Sequence, residues 1–184
     1  RQYGNVFVNK ACFLPNEVLV NNGTLNITGI PDADSDYVEI IYLRTHAIIY
    51  GNETTRLFKV ENGGSLILKK LILASGVATN GGGGGIHVAG PKAFLTADTV
   101  IFGGCYSNDF GGSLYVRNAT EVKLSNVVIA DSIGGGIYIH GESDSNPTLL
   151  ISENIVYFNN EAKDARHNDL FCKEHCIYRT IFSD

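Results

Sequence analysis

Phe58-Lys-Val60, Ile86-His-Val88 and Leu114-Tyr-Val116 stand 28 residues apart, and Leu170-Phe-Cys172 falls two further periods along. Leu66, Phe94, Val122 and Leu150 form a second column at the same step, and Leu73, Ile101, Ile129 and Tyr157 a third. Between these two runs a polar column of Lys70, Asp98, Asn126 and Asn154. Within each unit the apolar runs are short and alternate with period two, as in Val122-Lys-Leu124, and they are bounded by Gly, Asn, Asp and Ser. That pattern reads as short strands separated by turns.

A unit of 28 residues with three short strands makes one coil. Each strand then pairs in parallel with its copy in the next coil, about 4.8 Å away. Inward residues stack in ladders, so no coil buries its core without neighbours. The expectation is an all-β, single-stranded, right-handed parallel β-helix, a solenoid with coils of about 28 residues. Asn62-Gly-Gly64 and the glycines at 81–85, 111–112 and 134–136 mark bends. One irregularity is expected at a corner: Ile137 arrives five residues early, and the loop at 141–147 restores the register before Leu150. No window carries a helical stripe. A β-sandwich, the serious rival, does not predict columns at one offset.

The chain has 184 residues, enough for one domain. It divides into an N-terminal segment (1–24), coils (25–160) and a C-terminal coil or cap (161–184). Its apolar runs, such as 66–73, are too short to cross a bilayer as a helix. No signal peptide is visible, and a chain opening at Arg1 reads as processed or excised. The net charge is −5 with no basic cluster, which argues against nucleic acid as a partner.

Glu61-Asn-Gly-Gly-Ser-Leu-Ile-Leu-Lys-Lys-Leu-Ile-Leu-Ala-Ser-Gly76, with the later Gly-Gly-Gly-Ile-His-Val and Gly-Gly-Ser-Leu-Tyr-Val, resembles the pectin-lyase-like β-helix superfamily. More narrowly it is similar to polymorphic outer membrane protein repeats, which carry GGA[IL] and FxxN motifs. Gly111-Gly-Ser-Leu114 and Gly135-Gly-Ile137 approach the first motif and Tyr157-Phe-Asn159 touches the second, whereas Phe102-Gly-Gly-Cys105 departs from it. The resemblance covers 25–160 and implies the fold; the superfamily includes lyases, hydrolases, epimerases, adhesins and structural proteins, so it implies no single activity.

Four sequons (Asn22-Gly-Thr24, Asn26-Ile-Thr28, Asn52-Glu-Thr54, Asn118-Ala-Thr120) and four cysteines favour an oxidising, glycosylating secretory route. Glycans are expected at Asn52 and Asn118, and at Asn22 or Asn26. Cys172 and Cys176 are spaced for a small disulfide loop, which leaves Cys12 and Cys105 free or joined between molecules.

Candidate chemistry is thin. The best carboxylates are Asp98, Asp109 and Asp131, and Asp98 with Asp131 is the pair offered for catalysis. A two-carboxylate glycosidase needs them about 5 Å or about 6.5–9.5 Å apart. No metal site or cofactor is expected: Cys172-Lys-Glu-His-Cys176 lacks further ligands, and the 81–85 glycine run lacks a following Lys-Ser/Thr. The expectation is therefore a non-catalytic extracellular structural or adhesive glycoprotein, a subunit of a surface filament or matrix. It self-associates through coil ends, with extracellular polysaccharide a further candidate partner. The alternative is a carbohydrate-active enzyme (polysaccharide lyase, hydrolase or epimerase) on the same fold.

Overall fold

The computed structural model of the chain describes residues 3–30, 46–119, 121–141, 148–163, 168–174 and 176–180. Among them there is no helix, and the strands are joined in long parallel sheets, an arrangement compatible with a β-helix or solenoid.

The chain makes repeated passages through the same positions. The first passage carries β1 (Tyr3–Val8), β2 (Ala11–Leu14) and β3 (Val18–Asn21). The second carries β4 (Thr24–Gly29), β5 (Ala47–Gly51) and β6 (Phe58–Glu61). Then come β7 (Ser65–Ala74), β8 (Val77–Ala78) and β9 (Ile86–Ala89), followed by β10 (Phe94–Gly103), β11 (Tyr106–Ser107) and β12 (Leu114–Arg117). The last passages hold β13 (Glu121–Ala130) and β14 (Ile137–His140), β15 (Thr148–Phe158) and β16 (Leu170–Cys172), and β17 (Cys176–Thr180). The long strands stack β1-β4-β7-β10-β13-β15-β17, with β2 and β5 continuing beside β7, and a six-stranded sheet runs β3-β6-β9-β12-β14-β16.

Each long strand is really two short ones. Leu66 and Leu68 point inward and so do Leu71 and Leu73, a pattern that skips one residue at Lys70. Lys70, Thr99, Asn126 and Asn154 all adopt left-handed φ (51–57°), which lets both halves turn the same face to the core. A second left-handed column, Ser75, Gly104, Asp131 and Asn159, closes the strand at its far end. Polar side chains at these corners bond along the stack, Asn154 Nδ2 donating to Asn126 Oδ1 (3.1 Å) and Asn159 Nδ2 to Asp131 Oδ1 (2.8 Å). At the opposite corner the glycines are needed because rungs approach closely: a Cβ on Gly84 would lie 2.2 Å from the Tyr106 carbonyl oxygen.

The first expected column holds throughout: Phe58, Ile86, Leu114, Ile137 and Leu170 are successive cross-strand partners, early Ile137 included. Of the loop expected to restore the register, 142–147 lie outside the described residues. The other columns need correction at β10. Leu95, not Phe94, pairs with Leu66 and Val122, and Phe102, not Ile101, pairs with Leu73 and Ile129. Thr99, not Asp98, takes the left-handed position. The cause is one extra residue in the turn between β9 and β10 (90–93, against 62–64 one coil earlier). The next corner compensates by losing one (108–113, against 79–85).

Candidate functional site

The expected pair of carboxylates is not brought together. Asp98 pairs with Ser125 in the sheet, whereas Asp131 stands beside Gly104, six residues further along the neighbouring strand. Six residues of strand span roughly 15–20 Å, beyond any two-carboxylate geometry. Each is engaged at its own corner: Asp98 accepts from the adjacent Thr99 Oγ1 (3.2 Å), and Asp131 from Asn159 of the next coil. Asp109 instead faces a groove of about 280 Å³ that also holds Glu161, Lys163 and Tyr106.

The sequon asparagines differ sharply. Asn52 is committed: its Nδ2 donates to the Pro15 carbonyl (2.9 Å), and its Oδ1 accepts from the Thr54 and Thr55 amides (both 3.0 Å). Asn26 lies in β4 with Nδ2 donating to Asn5 Oδ1 (2.8 Å). Asn22 and Asn118 occupy left-handed turn positions (φ 52° and 55°). Thr120, the third residue of the Asn118 sequon, lies outside the described residues.

Cys172 and Cys176 form the expected disulfide, with Cα atoms 6.4 Å apart. Cys12 and Cys105 are free thiols. Cys12 sits in β2, three strand spacings from β10 through Ile49 and Leu73, too far for a bridge to Cys105. Burial pushes the Cys105 thiol up to about 11, and its full enclosure closes pairing with a second molecule to it.

His87 lies on the outer side of the six-stranded sheet, edge-on to Tyr115 (5.0 Å), which stacks on Tyr138 (5.6 Å) and through it on Phe171 (5.3 Å). Burial first, then the charges of Arg56 and Lys59, hold the imidazole down to about 4. These rings lie against one another along the stack and Tyr138 is buried, so the ladder stabilises the sheet, with Phe110, stacked on Tyr138 at 4.5 Å, left 42% exposed at its side. Among the described residues no group of three His, Cys, Asp or Glu is placed to hold a metal ion. His167 and His175 lie outside the described residues.

What sequence reasoning missed is a facet. Between the two left-handed corner columns, alternate residues point outward, and on six neighbouring strands these are apolar. One outward column is Ala11, Ile48, Ile72, Ile101, Val128 and Val156. The next is Phe13, Tyr50, Ala74, Gly103, Ala130 and Phe158. None is charged, and the Tyr50 hydroxyl is the single polar side-chain group. Phe158 is 64% exposed and Val156 56%. The other half of the same strands is mixed, with Lys69, Asp98, Lys123 and Glu153 facing out. The signal lay in residue identities at 72, 101 and 128, hidden because the gap-free alignment set Ile101 among the inward residues.

Comparison with known proteins finds no matching family model, no matching curated protein and no matching solved structure.

Proposed function

We propose that the chain is a single-stranded right-handed parallel β-helix of the pectin-lyase-like kind, acting as a non-catalytic extracellular structural or adhesive glycoprotein. It works through its surfaces. Its glycans sit at turn asparagines, with Asn22 and Asn118 the most accessible geometries. Coils join end to end with a neighbouring chain, as the subunits of a filament or matrix do.

The observation that carries this reading is the first passage of chain. β1, β2 and β3 each pair on one side alone among the described strands, with β4, β5 and β6. Phe7 is 68% exposed there and Leu19 53%. Such an edge is a template for another strand. Val18 N–H donates to the Leu57 carbonyl (2.9 Å), and alternate residues of a parallel strand bond to alternate sides. The Leu19 N–H therefore points away from β6, to the open edge. Leu19→Pro removes that donor while sparing the β3–β6 ladder. In sedimentation velocity the wild-type chain should form end-to-end oligomers at high concentration, and Leu19→Pro should lose them. Wild-type assembly that Leu19→Pro leaves unchanged, or a chain that forms no such oligomers, sinks the end-to-end reading.

A second reading, a carbohydrate-active enzyme, is favoured by one arrangement, the groove that gathers Asp109, Glu161 and Lys163. Release of reducing or unsaturated ends from a polysaccharide panel would select it.

A further inference from the structure

We infer that the uncharged facet is the interface of a side-by-side dimer of this chain. The inference is independent of end-to-end assembly, because the facet runs along the side of the stack.

Size comes first. Six strands at about 4.8 Å, and the roughly 17 Å of chain between the two corner columns, give about 500 Å² per copy. Two copies together remove about 1,000 Å², which reaches the threshold of a specific protein interface. A solvent-facing sheet ordinarily alternates apolar and polar residues, and a patch of this size, at the upper end of what a monomer exposes, is often functional.

Shape then selects the occupant. In the three central rows one column is bulky and the other small: Ile72 beside Ala74, Ile101 beside Gly103, Val128 beside Ala130. A two-fold axis parallel to the stack, midway between two facing facets, exchanges the columns and keeps each row at its own height. Ile101 of one copy then lies over Gly103 of the other, Ile72 over Ala74, and Val128 over Ala130. Over these three rows the contact is self-complementary, as an isologous contact must be, and the Ile48–Tyr50 and Val156–Phe158 rows, bulky in both columns, flank it. Gly103 is open to receive it: a Cβ built there meets nothing within 4 Å. Two facets packed this way stand about 10 Å apart like the sheets of a sandwich.

Other occupants fit less well. A polysaccharide needs hydrogen-bonding groups, and the facet offers the Tyr50 hydroxyl alone. A lipid surface favours basic residues and Trp at its rim, whereas this chain has no Trp and a net charge of −5. Two copies with that charge repel at long range, so added salt should tighten the dimer by screening.

The test is sedimentation equilibrium of the full-length chain from low to high micromolar concentration. With end-to-end growth removed by Leu19→Pro, a monomer–dimer equilibrium is expected, tighter at about 0.5 M than at about 0.05 M salt, which bracket the Debye lengths that matter. Gly103→Leu should leave the circular dichroism spectrum and thermal midpoint of the monomer near wild type, because its side chain enters open space, yet raise the dissociation constant at least about tenfold. Ile101→Lys should do the same from the other column, while Leu19→Pro should leave this dimer intact. A wild-type chain that stays monomeric at every concentration overturns the inference, as does Gly103→Leu dimerising like wild type. A monomeric wild type that floats with phosphatidylcholine vesicles, and stops doing so as Ile101→Lys, would assign the facet to lipid and overturn it equally.

Discussion

At the scale of single residues the left-handed corners and the half-buried histidine decide most. Asn126 and Asn154 tolerate positive φ because a short amide bonds locally, and here it also bonds to the next coil. His87 carries a pH dependence whose sign can be worked out. Its imidazole titrates at about 4 in the fold against 6.5 in a free chain, so between those values the unfolded chain binds the proton and the folded one does not. Stability therefore falls as pH drops through about 6.5 and levels off below about 4. The loss is about 2 kcal/mol, allowing for the part of the ring that meets solvent. His87→Phe, whose ring suits a column already holding Tyr115 and Phe171, should flatten this acid limb in urea titrations between those pH values. An acid limb unchanged in the variant would assign the loss to other groups.

At the scale of elements β10 is the instructive strand. The hydrophobic step of 28 puts Phe94 in the core, and Phe94 is the larger side chain. The turn at 90–93 carries one residue more than its neighbour, so Leu95 is 1% exposed and Phe94 37%. Leu95→Ala should cost about 2–4 kcal/mol through the cavity it leaves, whereas Phe94→Ser should cost at most about 0.5–1 kcal/mol. Urea midpoints at unchanged m-value would check this, and the reverse order would restore the uniform step. The same displacement turns Ile101 outward and completes the facet. An insertion confined to one corner thus moves a residue from core to surface, because side chains in a strand alternate.

At the scale of the whole molecule, burial is greatest in the middle. Inward residues of β7, β9, β10, β12 and β13 are almost fully enclosed, while Ile155 and Tyr157 in β15 are only partly so. Each coil depends on both neighbours for its core. Native-state amide exchange should therefore be slowest in β7, β10 and β13 and fastest in β1–β3 and β16–β17. Uniform protection from end to end would mean that the stack opens only as a unit. The corner hydroxyls and amides inside the stack follow the same logic. Ser113 Oγ lies 2.6 Å from Ser132 Oγ, and Asn160 Nδ2 donates to the Ile129 carbonyl at 3.0 Å, so these buried polar groups find partners in the neighbouring coil.

The sequence by itself determined that the chain is built of short strands stacked in parallel. Apolar residues recurring at one step, with glycine and asparagine at the bends, admit few other arrangements. The Phe58–Ile86–Leu114–Ile137–Leu170 column was legible, including its five-residue irregularity, because the Gly-rich turns on either side mark its place. So was the bridge between Cys172 and Cys176, which depends on four residues of local chain. The register of β10 was not legible, since a one-residue gain at one corner and loss at the next leave the overall step nearly unchanged. Nor was the separation of Asp98 from Asp131, which depends on the corner each occupies. The facet belongs to the tertiary structure alone. Its residues come from six strands between 11 and 158, and only the pairing of those strands turns scattered apolar positions into one continuous surface.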